Sequence, residues 1–304
     1  MRDAFSEALV ELAIADPKVL LLTGDHGYAL FDAFRRRCPA QYINAGIAEQ
    51  NMVGMAAGLA RVGFRPFVYG LSAFIPIRVL EQIKLDIAHD ELPVVLLGDG
   101  AGFVYSHLGT SHQSTEDIAC ARSIPNLTVL SPADRFEMLM CMRMAYECGS
   151  TVYLRMGKSD RGDVHRKLPV ADVGELLQLR TGAPNALAFI ATGSMVSSTL
   201  KFADASYPDA SIWSAPCIKP IDAACIATIC ATSRAVVVLE EHSRLGGLGS
   251  AVCEIAAETF PLRVLRIGVD DRFSNHCGSY EYLLGEHGLD AAGIAKTIRQ
   301  FEGG

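Results

Sequence analysis

Short apolar runs alternate with longer segments of helical periodicity along almost the whole chain. In the first half, the helical pattern predicts helices at 47–62, 73–89 and 133–148. The apolar runs that predict strands lie at 18–24, 41–46, 65–70, 93–100, 126–130 and 151–156. Continuously apolar strands that alternate with helices indicate a parallel sheet with both faces covered.

This alternation is interrupted after residue 156 by a polar, charged and aperiodic segment. A second series of predicted strands follows at 186–193, 210–215, 234–241 and 262–268. We therefore predict an α/β fold with two domains, each a mainly parallel sheet with helices on both faces. The predicted domains are 1–158 and 183–304, joined by a linker at 159–182.

The composition of the chain indicates how many domains it can form and which partners it is suited to. The chain has 304 residues, enough for two domains that each bury a core. Half of the residues are hydrophobic and only 20% are charged, so we expect part of the surface to be buried in a subunit interface. The net charge of −7, without a basic cluster, argues against nucleic acid as a main partner.

Cysteine usage and the apolar runs predict a cytoplasmic protein. The nine cysteines form no CxxC pair, which is typical of reduced thiols. The opening segment, MRDAFSEALVEL, has the pattern of an amphipathic helix with acidic residues rather than that of a signal peptide. No apolar run approaches the ~20 residues that span a bilayer, so we expect no membrane partner.

Candidate chemistry lies in the loops after the strands, because parallel sheets bind ligands beyond the carboxyl ends of their strands. Four such loops in the first domain read GDHGYA, NAGIAEQ, GLSAF and GDGAGFVYSHLGTSHQ. They contain the titratable residues Asp25, His26, Glu49, Asp99, His107 and His112.

Glu49 precedes a segment of small and apolar residues, NMVGMAAGLA. With Gly46 as the helix N-cap, Glu49 would lie at N3, where a carboxylate satisfies free amides and suits the positive helix end. The small residues Gly54, Ala57 and Gly58 would also let another backbone or subunit approach closely. Glu49 is therefore a candidate either for helix capping or for proton transfer.

The loop containing His107 and His112 also allows two interpretations. Its histidines could donate to the hydroxyls of a substrate. The loop could instead simply lead into the next helix, with STED (114–117) as a shortened capping box. The glycine-rich stretches 191–198 and 240–252 could each bind an anion at a helix N-terminus, or could serve only as tight turns.

Six stretches together resemble the C-terminal half of transketolase, and also deoxyxylulose-phosphate synthase and the β subunits of 2-oxoacid dehydrogenases. They are INAGIAEQNMVGMAAGLA, LEQIKLDIAHDELPVVLLGDGAG, TSHQSTEDIACARSIPNLTVLSPAD, VYLRMGK, EEHSRLGGLGSAV and IGVDDRF. They occur in the family's order over nearly the whole chain. The resemblance implies a pyrimidine-binding domain followed by the family's C-terminal domain.

The resemblance implies that the chain binds thiamine diphosphate. Glu49 matches the Glu that hydrogen-bonds N1′ of the aminopyrimidine and favours the tautomer that removes the thiazolium C2 proton. Phe74 matches the aromatic residue that packs against the aminopyrimidine. Asp25 matches an Asp near the thiazolium end.

The resemblance also implies a set of substrate contacts. His112 matches a His that contacts the hydroxyls of donor and acceptor. Arg2 and Arg155 match two arginines that hold the sugar phosphate, to which a guanidinium offers a planar fork of donors.

Several positions depart from the transketolase pattern. Leu108, beside His107, replaces an Asp that binds a sugar hydroxyl, and His26 replaces a Leu. Gly100 and Ala29 lie where a His and a Ser contact phosphate in the family. We therefore expect an unusual sugar acceptor, with His26 and His107 among the substrate-binding residues.

In the family, an N-terminal domain with a GDG…N motif holds the diphosphate and Mg²⁺ (or Ca²⁺). The chain begins at the pyrimidine-binding domain, so we expect a separate N-terminal subunit and an α2β2 assembly. In this chain, 25 residues separate the GDG at 98–100 from Asn126. We interpret this imitation of the motif as a coincidence, because Asn126 opens a strand, and we predict no metal ligands here.

The predicted function is that of the C-terminal subunit of a split, transketolase-like transferase. It would transfer a two-carbon ketol unit from a ketose or ketose phosphate to an aldose-type acceptor. One alternative is a β subunit of an enzyme that decarboxylates a 2-oxoacid, of the dehydrogenase or deoxyxylulose-phosphate synthase type. Another is a non-catalytic scaffold subunit.

Overall fold

The computed structural model describes residues 1–303, and its first half contains strands β1–β6. Their bounds are β1 Val19–Thr23, β2 Tyr42–Asn44, β3 Arg65–Leu71, β4 Val95–Asp99, β5 Leu127–Leu130 and β6 Thr151–Met156. The helices of this half are α1 Arg2–Ala15, α2 Asp32–Arg37, α3 Glu49–Arg61, α4 Leu80–Gln82, α5 Asp117–Arg122 and α6 Arg135–Glu147. All six strands coincide with predicted ones to within two or three residues at each end.

The second half contains strands β7–β12 and helices α7–α11. The strands are β7 Leu177–Arg180, β8 Leu187–Ala191, β9 Ser211–Ser214, β10 Cys217–Lys219, β11 Ala235–Ser243 and β12 Val264–Val269. The helices are α7 Met195–Ser206, α8 Ala223–Thr232, α9 Leu248–Glu258, α10 Tyr280–Glu286 and α11 Ala291–Gly303.

The first sheet has the strand order β10-β5-β6-β4-β3-β1-β2, and every pairing is parallel except that of β10 with β5. Successive residues of its central strands are buried on opposite faces. Leu20 and Leu22 of β1 pack with α3, whereas Leu21 packs with α1 and α6. Because both faces are covered, the strands are continuously apolar, as the sequence predicts.

The second sheet has the order β12-β11-β8-β9-β7, parallel except for the antiparallel pair β7–β9. Apolar residues of the two sheets join in one continuous core that includes Leu96 of the first sheet and Val238 of the second. The predicted fold class, two mainly parallel sheets each flanked by helices, is confirmed.

Two details of the domain organisation differ from prediction. Strand β7 lies inside the predicted linker 159–182 and forms the edge of the second sheet, so the second unit begins earlier than residue 183. Its LQLR sequence is only half-buried and gives no continuous apolar signal. Strand β10 follows β9 but returns to the first sheet, and Pro216 and Pro220 on either side of it obscure the strand pattern.

The predicted helix 73–89 is interrupted at its start. A 3₁₀ turn over Ile77–Val79 leads into α4, which continues as a π-helical segment over Ile83–Ala88. Pro76 precedes this segment and has no backbone N–H to donate, which explains why the helix does not begin at residue 73. Within residues 1–303, no helix is both long enough and apolar enough to cross a membrane.

Candidate active site

The carboxyl ends of β1, β3 and β4 meet at one edge of the first sheet. Asp25 follows β1, Phe74 follows β3, and Asp99 is the last residue of β4. Glu49 begins α3, which follows the edge strand β2. The structure thus gathers on one edge the loops in which the candidate chemistry was expected.

Glu49 is buried, with 5% of its surface exposed, although it begins a helix. The helix N-cap is Ala48 and not Gly46, so Glu49 lies at the first helical position rather than at N3. Its Oε2 accepts a hydrogen bond from Nη1 of Arg78 at 3.0 Å. The carboxylate also lies at the N-terminal end of α3, where the helix dipole is positive.

Arg78 joins Glu49 to two other candidate residues. Its guanidinium carbon lies 4.0 Å from the centroid of the Phe74 ring. The Phe74 ring in turn meets His112 edge-on, with 5.5 Å between the ring centroids. Sequence reasoning missed Arg78, although its position four residues after Phe74 is a spacing that places side chains together on a helical turn.

Asp25 and His26 follow β1 and have different surroundings. Asp25 is exposed and adopts a left-handed φ of 61°. Hydrogen bonds from Asn44 (3.1 Å) and Tyr28 (3.0 Å) lower the pKa of the Asp25 carboxyl. Burial lowers the pKa of His26, and both of its ring nitrogens are buried without a hydrogen-bond partner among the described residues. Such a histidine can bind a polar group that enters the site.

Asp99 is also buried, and its charge is compensated. Its Oδ2 accepts hydrogen bonds from the hydroxyls of Tyr69 (2.6 Å) and Tyr105 (3.3 Å) and lies 3.3 Å from Nη2 of Arg2. Burial, reinforced by Asp99, raises the pKa of Tyr105 to about 12. Since 46% of the Arg2 side chain is exposed, its guanidinium remains accessible to an anion.

Asp99 and Asn126 lie at opposite ends of the parallel strands. Asp99 ends β4, whereas Asn126 comes just before β5, and both strands run parallel to β6. The strand register separates the two residues by six positions, or about 20 Å along the strands. They cannot share one metal ion, which agrees with our interpretation of the GDG…N spacing as a coincidence.

The structure does not support the phosphate-binding role inferred for Arg155. Its side chain is only 2% exposed, and Nε donates to Oδ2 of Asp117 at 2.8 Å. Nη2 donates to the carbonyl of Glu241 at 2.8 Å. Burial alone would raise the pKa of Asp117, but Arg155 lowers it below the ordinary value. Arg155 therefore joins the two domains and is closed to substrate, a burial that one sequence could not reveal.

His107 and His112 lie on the loop between β4 and α5. His107 is exposed and His112 is half-buried, and each belongs to a short 3₁₀ turn. The predicted capping box STED does not form. The N-cap Glu116 makes no side-chain capping bond, and Asp117 faces Arg155 instead of the helix end.

The anion site considered at the N-terminus of α9 is filled by the chain itself. The Glu240 carboxylate accepts hydrogen bonds from the backbone N–H groups of Leu248 (2.7 Å) and Gly249 (2.9 Å). Residues 240–252 therefore form a turn that is closed by an internal carboxylate.

The chain thus contains two α/β domains. The buried acid Glu49 and the aromatic ring of Phe74 lie at the carboxyl ends of the strands of the first domain. Family models match both domains: the transketolase pyrimidine binding domain matches residues 1–162 and the transketolase C-terminal domain matches residues 176–294. The chain belongs to the transketolase family.

Three similar proteins illustrate the relationship. The chain is 34% identical to one subunit of the apulose-4-phosphate transketolase of Phocaeicola vulgatus, over 99% of this chain and 96% of the relative. It is 36% identical to 1-deoxy-D-xylulose-5-phosphate synthase of Cupriavidus necator, over 97% of this chain, but it spans only 47% of that protein. A solved structure described as "split gene transketolase, inactive beta4 tetramer" superposes with a TM-score of 0.90 at 33% identity, over 98% of this chain and 97% of that chain.

Proposed function

We propose that this chain is the C-terminal subunit of a split, thiamine-diphosphate-dependent transferase of the transketolase type. It would transfer a two-carbon ketol unit from a ketose or ketose phosphate to an aldose-type sugar. The observation that carries the proposal is the buried carboxylate of Glu49, joined through Arg78 to the face of Phe74. The geometry fits a planar, hydrogen-bonding heterocycle between an acid and an aromatic ring.

The residues at this edge fit the aminopyrimidine of thiamine diphosphate. Phe74 presents one ring face to the planar guanidinium of Arg78, and the planar aminopyrimidine ring could stack on an aromatic face in the same way. The Glu49 carboxylate is covered by Arg78, whose side chain is 46% exposed, so an entering heterocycle could displace it. When bound, the cofactor would supply the carbanion that carries the two-carbon unit.

In this proposal, Glu49 holds a proton at the pyrimidine ring and Phe74 orients the ring. We assign Asp25, which is exposed just after β1, to the thiazolium end of the cofactor. We assign the diphosphate and its Mg²⁺ (or Ca²⁺) to a partner subunit, because the Asp99 carboxylate is already held by Tyr69, Tyr105 and Arg2.

Substrate contacts would come from the histidines and from Arg2. His26 has two ring nitrogens without partners, and His112 and His107 lie on the adjoining loop. These groups suit the hydroxyls of a sugar, and the half-exposed guanidinium of Arg2 suits a phosphate. The name of the Phocaeicola vulgatus relative supports a phosphorylated sugar as substrate.

The partner would be an N-terminal, diphosphate-binding subunit in an α2β2 heterotetramer. The outer side of α3 supports this arrangement, because Ile47 before the helix is 79% exposed and nothing lies within 4 Å of a Cβ placed at Gly54 or Gly58. The similar solved structure is a β4 tetramer described as inactive, which supports a requirement for a second kind of subunit. All nine cysteines are free thiols, in keeping with a cytoplasmic location.

Affinity purification of the chain from its native host, with mass spectrometry of the bound proteins, tests the proposal. We expect a stoichiometric partner that carries the diphosphate-binding GDG…N motif. The reconstituted complex is then assayed with a ketose phosphate and an aldose acceptor. Recovery of the chain alone, without a partner and without ketol transfer on adding thiamine diphosphate and Mg²⁺, contradicts the proposal.

A second candidate function is decarboxylation of a 2-oxoacid, as in 1-deoxy-D-xylulose-5-phosphate synthase. The 36% identity to that enzyme and the absence of the sugar-binding Asp at Leu108 favour it. The same complex assayed with pyruvate distinguishes the two activities, because ketol transfer releases no carbon dioxide.

A further inference from the structure

The end of β11 lies against both stems of the loop that carries the candidate histidines. We define the histidine loop as residues 100–114. The loop is closed at its base by two hydrogen bonds between the backbones of Gly102 and Ser114, at 2.8 and 3.0 Å. Between this base and its tip it contains only short 3₁₀ turns. Its position therefore depends on what holds the base, together with contacts of Tyr105 with Asp99 and of Gln113 with Ser274.

The carboxylate of Glu241 holds the first stem. Glu241 is 1% exposed, and its Oε1 accepts a hydrogen bond from the backbone N–H of Phe103 at 2.6 Å. Its Oε2 accepts from the hydroxyls of Ser194 and Tyr280. A Cβ at Gly102, where φ is +68°, would collide with this carboxylate, so the close approach requires glycine.

The second stem is held by the same strand. The backbone N–H of Ser243, two residues after Glu241, donates to the carbonyl of Thr115 at 2.6 Å. Nη2 of Arg155 donates to the Glu241 carbonyl at 2.8 Å and lies 3.4 Å from the carbonyl of Ser114. Glu241 and Ser243 of the second domain thus bind both ends of a loop that belongs to the first domain.

We propose that Glu241 is a positioning residue that fixes His107 and His112 for recognition of the sugar hydroxyls. This inference rests on the proposed function. Glu241 lies in the other domain and bonds the loop at Phe103, the first residue beyond the Gly102–Ser114 base. A buried carboxylate that bonds a backbone N–H makes a charge-assisted hydrogen bond, which fixes the main chain rather than one side chain.

The number of donors explains why a carboxylate is needed here. Three donors converge on two oxygen atoms, and an ionised carboxylate can accept from all of them. The backbone N–H of Phe103 cannot reverse its role, whereas the two hydroxyls can rotate and accept. A glutamine at position 241 can therefore keep the bond to Phe103, while an alanine cannot.

Hydrogen–deuterium exchange on the full-length chain tests the anchor without any assay of activity. We expect Glu241→Ala to speed exchange of the amides in residues 103–113 roughly tenfold or more, because the amide loses its acceptor. Glu241→Gln should restore slow exchange. Tyr280→Phe is the matched control, because it removes another donor from the same carboxylate and leaves the bond to Phe103 in place.

A loop-side variant covers the case in which Glu241→Ala does not fold. Gly102→Ala places a Cβ against the Glu241 carboxylate and disrupts its bond to Phe103 from the loop side, so faster exchange of 103–113 is again expected. Exchange at the wild-type rate in both loosening variants overturns the anchor, whatever the complex catalyses.

Kinetics of the reconstituted complex test the link to recognition. We expect Glu241→Ala to lower kcat/KM for the sugar roughly 10- to 100-fold, the range expected when a binding group is misplaced by about 1 Å. Affinity for thiamine diphosphate should change much less than kcat/KM, because Glu49 lies on another element and the loop reaches Phe74 only through the edge of His112. In a His112→Ala background, the effect of Glu241→Ala should shrink to less than half in free-energy terms.

The kinetic outcomes separate this inference from the proposed function. A complex that catalyses no ketol transfer refutes the proposed function, while the exchange experiment still decides whether the anchor exists. Faster loop exchange with an unchanged kcat/KM, or fully additive effects of the Glu241 and His112 variants, overturns the positioning role.

Discussion

Two arginine–carboxylate pairs at the carboxyl ends of the first sheet use the same chemistry in different surroundings. Arg78 lies 3.0 Å from Glu49, and Arg155 lies 2.8 Å from Asp117. In the first pair, the arginine is 46% exposed and the acid is 5% exposed. In the second pair, both side chains are almost completely buried, at 2% and 0%.

The neighbours of the two pairs differ as much as their exposure. Asp117 also accepts hydrogen bonds from Tyr153 (2.7 Å) and Ser72 (3.1 Å), and Arg155 donates across the domain interface. Glu49 has only Arg78 as a hydrogen-bond partner among the described residues, and Arg78 rests on the half-buried ring of Phe74. A ligand can replace Arg78 at Glu49, whereas nothing can replace Arg155 at Asp117 without opening the protein. Residue type alone therefore does not identify a functional arginine, but solvent access and the number of fixed partners do.

The largest expected effect is on stability, and it distinguishes the two pairs. Arg155→Ala should lower the free energy of unfolding by about 3–5 kcal/mol, because it leaves Asp117 buried without its cation. Arg78→Ala should lower it by less than about 1 kcal/mol, since one partner is half exposed. Urea unfolding of both variants measures the difference, with Arg143→Ala, on the exposed face of α6, as a control.

Equal losses from the Arg155 and Arg78 variants would show that burial does not separate the pairs. If Arg155→Ala instead kept its stability and raised only KM for a phosphorylated donor, the phosphate-binding role that the structure does not support would be restored.

The second effect is on catalysis. Glu49→Gln in the reconstituted complex should lower kcat at least ~100-fold, because an amide cannot exchange a proton with the pyrimidine ring. Its free energy of unfolding should change little, because the lost pair is partly exposed. Glu11→Gln, an exposed acid on α1, serves as the control for the loss of one negative charge. A variant as active as wild type would favour the non-catalytic scaffold.

The smallest expected effect is on how stability depends on pH. The buried groups Glu240 and His242 change the stability in opposite directions as the pH rises. Burial raises the pKa of Glu240 to about 7 from its ordinary 4.5, so its contribution to stability is present below pH 4.5 and lost as the pH rises through 7. Burial lowers the pKa of His242 to about 4 from 6.5, so its contribution is present above pH 6.5 and lost as the pH falls through 4. The two slopes oppose each other between about pH 4.5 and 6.5.

Replacing either group alone should reveal the pH dependence of stability that the remaining group contributes. Relative to wild type, the stability of Glu240→Gln should rise with pH in that window, and that of His242→Asn should fall. Each difference should reach at most about 1.4 kcal/mol per pH unit, the value for one proton. Urea unfolding at pH 4.5, 5.5 and 6.5 measures both, and parallel curves for the three proteins would contradict the two pKa shifts.

The sequence predicts the elements of this fold well where burial is continuous. Strands such as β4 and β6 are buried at every residue and stand out as apolar runs. β7 and β10 escaped detection because one is a half-buried edge strand and the other is a short strand between two prolines. Their pairing depends on contacts between distant parts of the chain, which local periodicity does not record.

The candidate site could be predicted in its location but not in its contacts. The loops after the strands predicted that the site lies at the carboxyl ends of the strands of the first sheet. The family resemblance predicted Glu49 and Phe74 as its residues. Which arginine is open and which is closed depends on packing between the domains, so Arg155 was assigned to substrate and Arg78 was missed. The role of Glu241 was equally hidden, because it becomes visible only when Phe103 is placed beside it.

Strand β10 makes the two domains inseparable in evolution as well as in space. Cys217–Lys219 comes from the second half of the chain, yet it covers the β5 edge of the first sheet. Recombination that exchanged the C-terminal domain for a foreign one would have to bring a matching strand, or it would leave a bare sheet edge prone to aggregation. We therefore expect the two domains to be inherited as one unit.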